Sequence, residues 1–172
     1  MGTVEVIATI PSGRGLRTAC RGLLRRLLAE TAQRQAGITL LLASDAEVRR
    51  LNRAHLGRDR TTDVLAFPSG GDLEPGQPHL GEIAISVPRA RRQARRARWG
   101  VEDEMALLVT HGYLHLLGYD HETDDGTMRR LEEDLLKRTA GVVMARRALP
   151  WGEGRSLREE GARRKGRPEV IR

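Results

Sequence analysis

Between Met105 and Leu117 the chain reads Met-Ala-Leu-Leu-Val-Thr-His-Gly-Tyr-Leu-His-Leu-Leu, a stretch of helical length that is apolar on almost every face. Such a helix has no solvent side to offer, so it must sit inside a domain with other elements packed round it. Yet it carries two imidazoles, His111 and His115, one helical turn apart and therefore on the same face. Buried imidazoles are costly without partners, and a metal ion supplies them. Gly118 stands where the helix can end in a left-handed turn, and the short Tyr119-Asp120 step can then return His121 toward the pair. Three nitrogen ligands with a fourth position open is the arrangement of a catalytic zinc site, because water or substrate must reach the ion. His111, His115 and His121 are thus the expected ligands of one zinc ion.

The residue after the first histidine narrows the chemistry. Zinc peptidases of the His-Glu-x-x-His type place a glutamate there as general base, and this chain has Gly112. A peptidase of that design would lack its proton acceptor. Asp120, beside His121, is a candidate to accept a proton or to hold a ligand imidazole, and is equally suited to a turn.

At 172 residues with 39% hydrophobic content, the chain is expected to form one compact domain with a real core. Its single cysteine, Cys20, excludes an intrachain disulfide and suits a small buried position in the first long helix. The start has no basic leader and no apolar run approaches membrane-spanning length, so a cytoplasmic protein without membrane association is expected.

Alternation from Val4 to Ile10 predicts a strand, and Leu16–Gln35 a helix with Gly37 just past its end. Ile38–Ala43 reads as a central strand, followed by a helix over Asp45–Leu56 that Ser44 caps, with Glu47 completing a capping box. Thr62–Phe67 predicts a third strand stopped by Pro68, a Gly- and Pro-rich loop follows up to Pro78, and Leu80–Val87 predicts the fourth strand. Three helices complete the pattern: an arginine-rich one from Pro88 ended by Gly100, the histidine helix, and one from about Asp124 to Ala148. The expected fold is a single α+β domain, a small mixed four-stranded sheet with about five helices, over residues 1–148. Residues 149–172 lack apolar periodicity and are expected to be a disordered basic tail.

The net charge of +7 favours an acidic partner, although the basic residues are nearly all arginine, a bias that GC-rich codons alone would produce. Clustering is the sharper signal. Between Pro88 and Trp99 stand Arg89, Arg91, Arg92, Arg95, Arg96 and Arg98 with no acid among them. Like charges one turn apart weaken a helix by a few tenths of a kcal/mol per pair, roughly. A phosphate backbone would offset that repulsion, which makes Arg89, Arg92, Arg95 and Arg96 the expected nucleic-acid-binding residues. A solvated face balanced by Glu102, Asp103 and Glu104 is the plain alternative. With 3% aromatic residues, recognition by extensive base stacking is not favoured.

Taken together, these residues resemble the YbeY family of bacterial metal-dependent endoribonucleases, also described as rRNA maturation factors. The resemblance covers roughly residues 35–140. It rests on Leu51-Asn52 leading to Thr62-Asp63-Val64-Leu65-Ala66-Phe67-Pro68, on Gly81-Glu82-Ile83-Ala84-Ile85-Ser86, and on the histidine segment through His121. It implies zinc on His111, His115 and His121, a small α+β fold, and single-strand-specific endoribonuclease action in late maturation of small-subunit (16S) rRNA and in ribosome quality control. The implied partners are rRNA and the small ribosomal subunit, with no DNA expected. One departure matters: the family usually carries Tyr-Arg-Gly where this chain has His55-Leu56-Gly57, so the arginine expected beside the metal is Leu56. Arg58 or Arg60 is a substitute from the following loop, and Arg60 joins Asp120 as a catalytic candidate. Ala66 also stands where the family often has serine. A second reading follows from Leu56: a non-catalytic ribosome assembly factor, stabilised by zinc, whose arginines dock on rRNA.

Overall fold

In the computed structural model, which describes residues 2–69, 78–120 and 124–141, the elements run β1 (Val4–Ala8), α1 (Pro11–Arg14), α2 (Arg17–Glu30), β2 (Gly37–Ala43), α3 (Asp45–Leu56), β3 (Val64–Pro68), β4 (His79–Ser86), α4 (Val87–Ala97), α5 (Val101–Leu116) and α6 (Thr127–Ala140). The strands form one sheet in the order β1-β2-β4-β3, with β1, β2 and β4 parallel and β3 antiparallel to β4. This is the single α+β domain with a mixed four-stranded sheet that the sequence predicts. The described residues hold six helices rather than about five. The additional one is α1, a single turn begun by Pro11, whose fixed φ suits a first helical position.

Strand register explains how the layers form. Val6, Leu40, Ile83 and Ala66 lie in one row across the sheet, and all four are buried in the main core with side chains of α2, α5 and α6. Because successive residues alternate, the next row of Ile7, Leu41, Ala84 and Leu65 faces the other way. On that second face α3 packs Val48, Leu51 and Leu56 around Leu65, Ala84 and Phe67. Helix α5 lies on the first face against β3 and β4, with α2, α4 and α6 as its other neighbours. Every residue from Glu104 to Leu116 is buried, as the all-round apolar pattern requires. Each fully buried leucine or valine there contributes about 1.5–3 kcal/mol.

Several boundaries move, each for a local reason. Helix α2 stops at Glu30, where Thr31 turns both its N–H and its hydroxyl onto the Leu27 carbonyl and Ala32 takes a φ of 58°. Gly37 therefore opens β2 instead of ending the helix. Helix α4 ends at Ala97 with Arg98 in the left-handed conformation, and Gly100 serves as the N-cap of α5, its N–H on the Asp103 carboxylate at 3.3 Å. Pro68 is the last residue of β3 and does not interrupt it, since an edge strand tolerates a missing N–H. Ser44 caps α3 through the Glu47 N–H at 3.2 Å, but the Glu47 carboxylate takes the Thr9 hydroxyl and so leaves the predicted box half made. Helix α6 begins at Thr127, and Asp124 precedes it as a cap that accepts from the N–H groups of Gly126 and Met128 at 2.8 and 2.7 Å. The loop at 70–77, the predicted extension of α6 over 142–148 and the tail at 149–172 lie outside the described residues. Among the described residues no helix is long and apolar enough to cross a membrane.

The carboxyl ends of β2 and β4 are joined by one carboxylate. Asp45 accepts from the Ser86 hydroxyl with one oxygen and from Arg92 at 2.8 Å with the other, tying α3 to the start of α4. Partial burial raises its pKa, but the Ser86 and Arg92 hydrogen bonds and the charges of Arg92 and Arg89 outweigh that and hold it below the ordinary 3.8. A depressed carboxylate stabilises the fold above its unfolded pKa and stops doing so as pH falls through the lower folded value. Asp45→Asn is therefore expected to lower unfolding stability at pH 7 by about 0.5–1 kcal/mol, the range for a partly exposed pair. Urea titrations should show that difference shrinking as pH drops below the ordinary carboxylate range.

Candidate metal centre

The end of α5 is built so that its two histidines converge. Gly118 adopts a φ of +88°, its N–H bonds to the His115 carbonyl at 2.9 Å, and the Tyr119 N–H reaches the Leu114 carbonyl at 3.1 Å. This is the paired closure of a Schellman turn, which a glycine at that position makes without strain. The turn swings the Tyr119 carbonyl back over the helix, where it meets Nδ1 of His115 at 2.8 Å. A carbonyl oxygen only accepts, so His115 Nδ1 carries the proton, and in the neutral ring Nε2 keeps its lone pair. That Nε2 lies 3.0 Å from Nε2 of His111, with the rings at 85° and their centroids 4.5 Å apart. Nδ1 of His111 faces the Glu132 carboxylate of α6 at 2.9 Å.

The donor set suits a metal. Two nitrogens of a tetrahedral zinc site with Zn–N of about 2.0–2.1 Å stand roughly 3.3 Å apart, close to the separation seen here. Both rings are buried, at 2% and 0% exposure, and both have their far nitrogen engaged by an oxygen acceptor, as metal-bound imidazoles regularly do. His121 lies outside the described residues. Among the described residues no group of three or more His, Cys, Asp or Glu side chains forms a metal cluster, so two of the three predicted ligands are brought together here.

The model of the family described as Endoribonuclease YbeY matches residues 12–140. The chain belongs to that family. A relative in Solibacter usitatus named endoribonuclease YbeY is 49% identical over 117 residues, covering 68% of this chain and 75% of its own length. One of the same name in Thermus thermophilus is 40% identical over 139 residues, covering 77% and 98%. A third, in an Anaeromyxobacter species, is 38% identical over 170 residues, covering 98% and 82%. The solution structure of TM1509 from Thermotoga maritima aligns with a TM-score of 0.59 at 27% identity, over 81% of this chain and 90% of that one. Family membership, read in the sequence from three motif blocks, thus extends over most of the domain.

Other predicted site residues fall in different places. Asp120 is half-buried just past the Schellman turn, and its carbonyl accepts from the Asp124 N–H at 3.1 Å, on the way into α6. Arg60 is exposed on the loop after α3, its carbonyl held by the buried Asn52 amide at 2.8 Å. Leu56 belongs to the apolar cluster of Leu51 and Phe67, on the sheet face opposite the one that α5 covers. Of the arginines, Arg92 is paired with Asp45, Arg89 is half-buried, and Arg95 and Arg96 are exposed. Arg91 donates to the Ser12 carbonyl at 3.1 Å. The cationic face is thus partly consumed in holding α4 to its neighbours.

Sequence reasoning missed Glu132. A carboxylate among Met128, Leu135, Leu136 and Thr139 on the buried face of α6 was the available signal, because a charge at a core position needs a partner. It also left Gly112 as a mere absence of glutamate. A Cβ at Gly112 would lie 2.9 Å from Cγ2 of Ile83 and 3.3 Å from Cγ2 of Val64, so the helix rests directly on the sheet. Gly112→Ala should gain up to about 1 kcal/mol of helix propensity and lose about 1–3 kcal/mol to overpacking against β-branched neighbours. A thermal midpoint a few degrees below wild type is the expected net result, checked by calorimetry, and an unchanged or raised midpoint would contradict the packing.

Proposed function

We propose that this chain is a zinc-dependent, single-strand-specific endoribonuclease acting on small-subunit rRNA during its late maturation and in ribosome quality control. The observation that carries the reading is the approach of two buried imidazole Nε2 atoms to 3.0 Å, in a chain whose relatives are named endoribonuclease YbeY. His111 and His115, with His121 as third ligand, would hold the ion. Bound zinc supplies Lewis-acid polarisation of a phosphoryl oxygen or a water of lowered pKa. The burial of α5 keeps both rings rigid, and the Schellman turn fixes the His115 ring against its own helix end. Asp120 and Arg60 remain the catalytic candidates, and the nearness of Asp120 in sequence to His121 favours it as a proton acceptor over Arg60 on the loop after α3. Of the four predicted RNA-binding arginines, Arg95 and Arg96 are the exposed ones, while Arg89 is half-buried and Arg92 is paired with Asp45. The substrate sets the location as cytoplasmic and the partners as rRNA and the small ribosomal subunit, with neither DNA nor membrane involved.

The position of Leu56 in an apolar cluster favours a second reading, a zinc-stabilised assembly factor that binds rRNA without cutting it. One assay separates the two. With purified protein and a single-stranded rRNA fragment, cleavage that disappears together with bound zinc in His115→Ala supports the nuclease. Retained cleavage in that zinc-free variant overturns the mechanism, and binding by wild type without cleavage supports the assembly factor. In the same system, Arg95→Ala combined with Arg96→Ala should weaken RNA binding at low salt. The slope of log K against log salt should fall by about 1.4, as for two phosphates lost on a single strand, with the thermal midpoint unchanged.

A further inference from the structure

Glu132 is nearly fully buried, at 1% exposure, on the face of α6 that also buries Met128, Leu135 and Leu136. A carboxylate in such surroundings is costly unless a specific partner takes it up. Its partner is Nδ1 of His111, from an element 21 residues earlier, at 2.9 Å. We propose that Glu132 is a positioning residue for the metal centre: its carboxylate accepts the Nδ1 proton of His111 and thereby aims the Nε2 lone pair of that ring at the ion.

Comparison of the two rings supports this. His115 is committed to the Nδ1-protonated form by the Tyr119 carbonyl, a backbone group delivered by its own helix end. His111 lies one turn deeper in α5, where main-chain carbonyls are engaged within the helix, so its orienting acceptor has to come from a side chain on another element. Without Glu132 the His111 ring could carry its proton on Nε2 and donate it to His115, 3.0 Å away, which would consume both lone pairs that a metal needs. An acceptor on Nδ1 forbids that exchange, and a charged one also strengthens the ligand by polarising the ring. Helix α6 is in this sense part of the site although it contributes no ligand.

This inference rests on the metal-binding reading, and its test keeps the two apart. The zinc dissociation constant is measured by chelator competition for wild type, Glu132→Leu and Glu132→Gln. Long-range proton–nitrogen spectra of the histidine rings are recorded on the same folded proteins with and without zinc. In wild type His111 should carry its proton on Nδ1 in the zinc-loaded form. Glu132→Leu should lose roughly 10- to 100-fold in zinc affinity, the usual cost of removing such a partner, and its zinc-free spectrum should show the proton redistributed between the two nitrogens of His111 while His115 stays as it was. Glu132→Gln, which keeps an acceptor oxygen and nearly the same shape, should recover much of the loss and covers the case in which the leucine variant fails to fold. A wild-type His111 bound through Nδ1, a leucine variant within twofold of wild type, or a glutamine variant no better than the leucine one would each overturn the role of Glu132. Failure of wild type itself to bind zinc would instead overturn the metal reading.

Discussion

Two imidazoles inside a helix with no exposed face set the terms for everything around them. The apolar surface of α5 demands neighbours on every side, and the sheet, α2, α4 and α6 provide them. The rings then demand polar partners in the same dry space. They find them in a backbone carbonyl returned by the Gly118 turn and in a carboxylate from α6. With both far nitrogens on oxygen acceptors, the two near nitrogens lie 3.0 Å apart, a separation that suits two donors to one cation. Burial, tautomer and the convergence of the two rings are therefore consequences of one packing decision.

The opposite face of the sheet obeys a different logic. There α3 caps a smaller cluster, and the ends of β2 and β4 are stitched together through Asp45, Ser86 and Arg92. That stitching changes what the arginines of α4 can do. Read along the chain they look like one broad cationic surface, whereas in three dimensions Arg92 and Arg91 are engaged at home and the outward charge narrows toward Arg95, Arg96 and Arg98. Charge counted in sequence overstates charge available to a ligand whenever a helix is anchored by its own polar residues.

Much of this was readable in the chain. Strand alternation, the Ser44 cap and the all-round apolar helix specified the sheet, the position of α3 and the burial of α5, because each reflects a local rule that tertiary packing then reinforced. The convergence of His111 and His115 was legible for the same reason: a spacing of four places two rings on one face wherever the helix sits. Helix ends were less legible. Gly37 and Gly100 looked like stops, but Thr31 and Arg98 terminate those helices by hydrogen bonding and by an uncommon backbone conformation that composition does not announce. The place of Leu56 and the role of Glu132 depend on which face of the sheet a helix covers and on contacts between distant segments, and neither is written in a local pattern.

The tight seat of Gly112 carries an evolutionary consequence. A lineage with this architecture stands one codon change away from the glutamate that would complete a peptidase signature, yet the floor of β-branched side chains beneath the helix must give way even for a methyl group. Conversion would require Ile83 and Val64 to shrink first, hollowing the core before any new activity repaid the loss. Two enzyme classes that look like neighbours in motif space are thereby held apart by van der Waals radii.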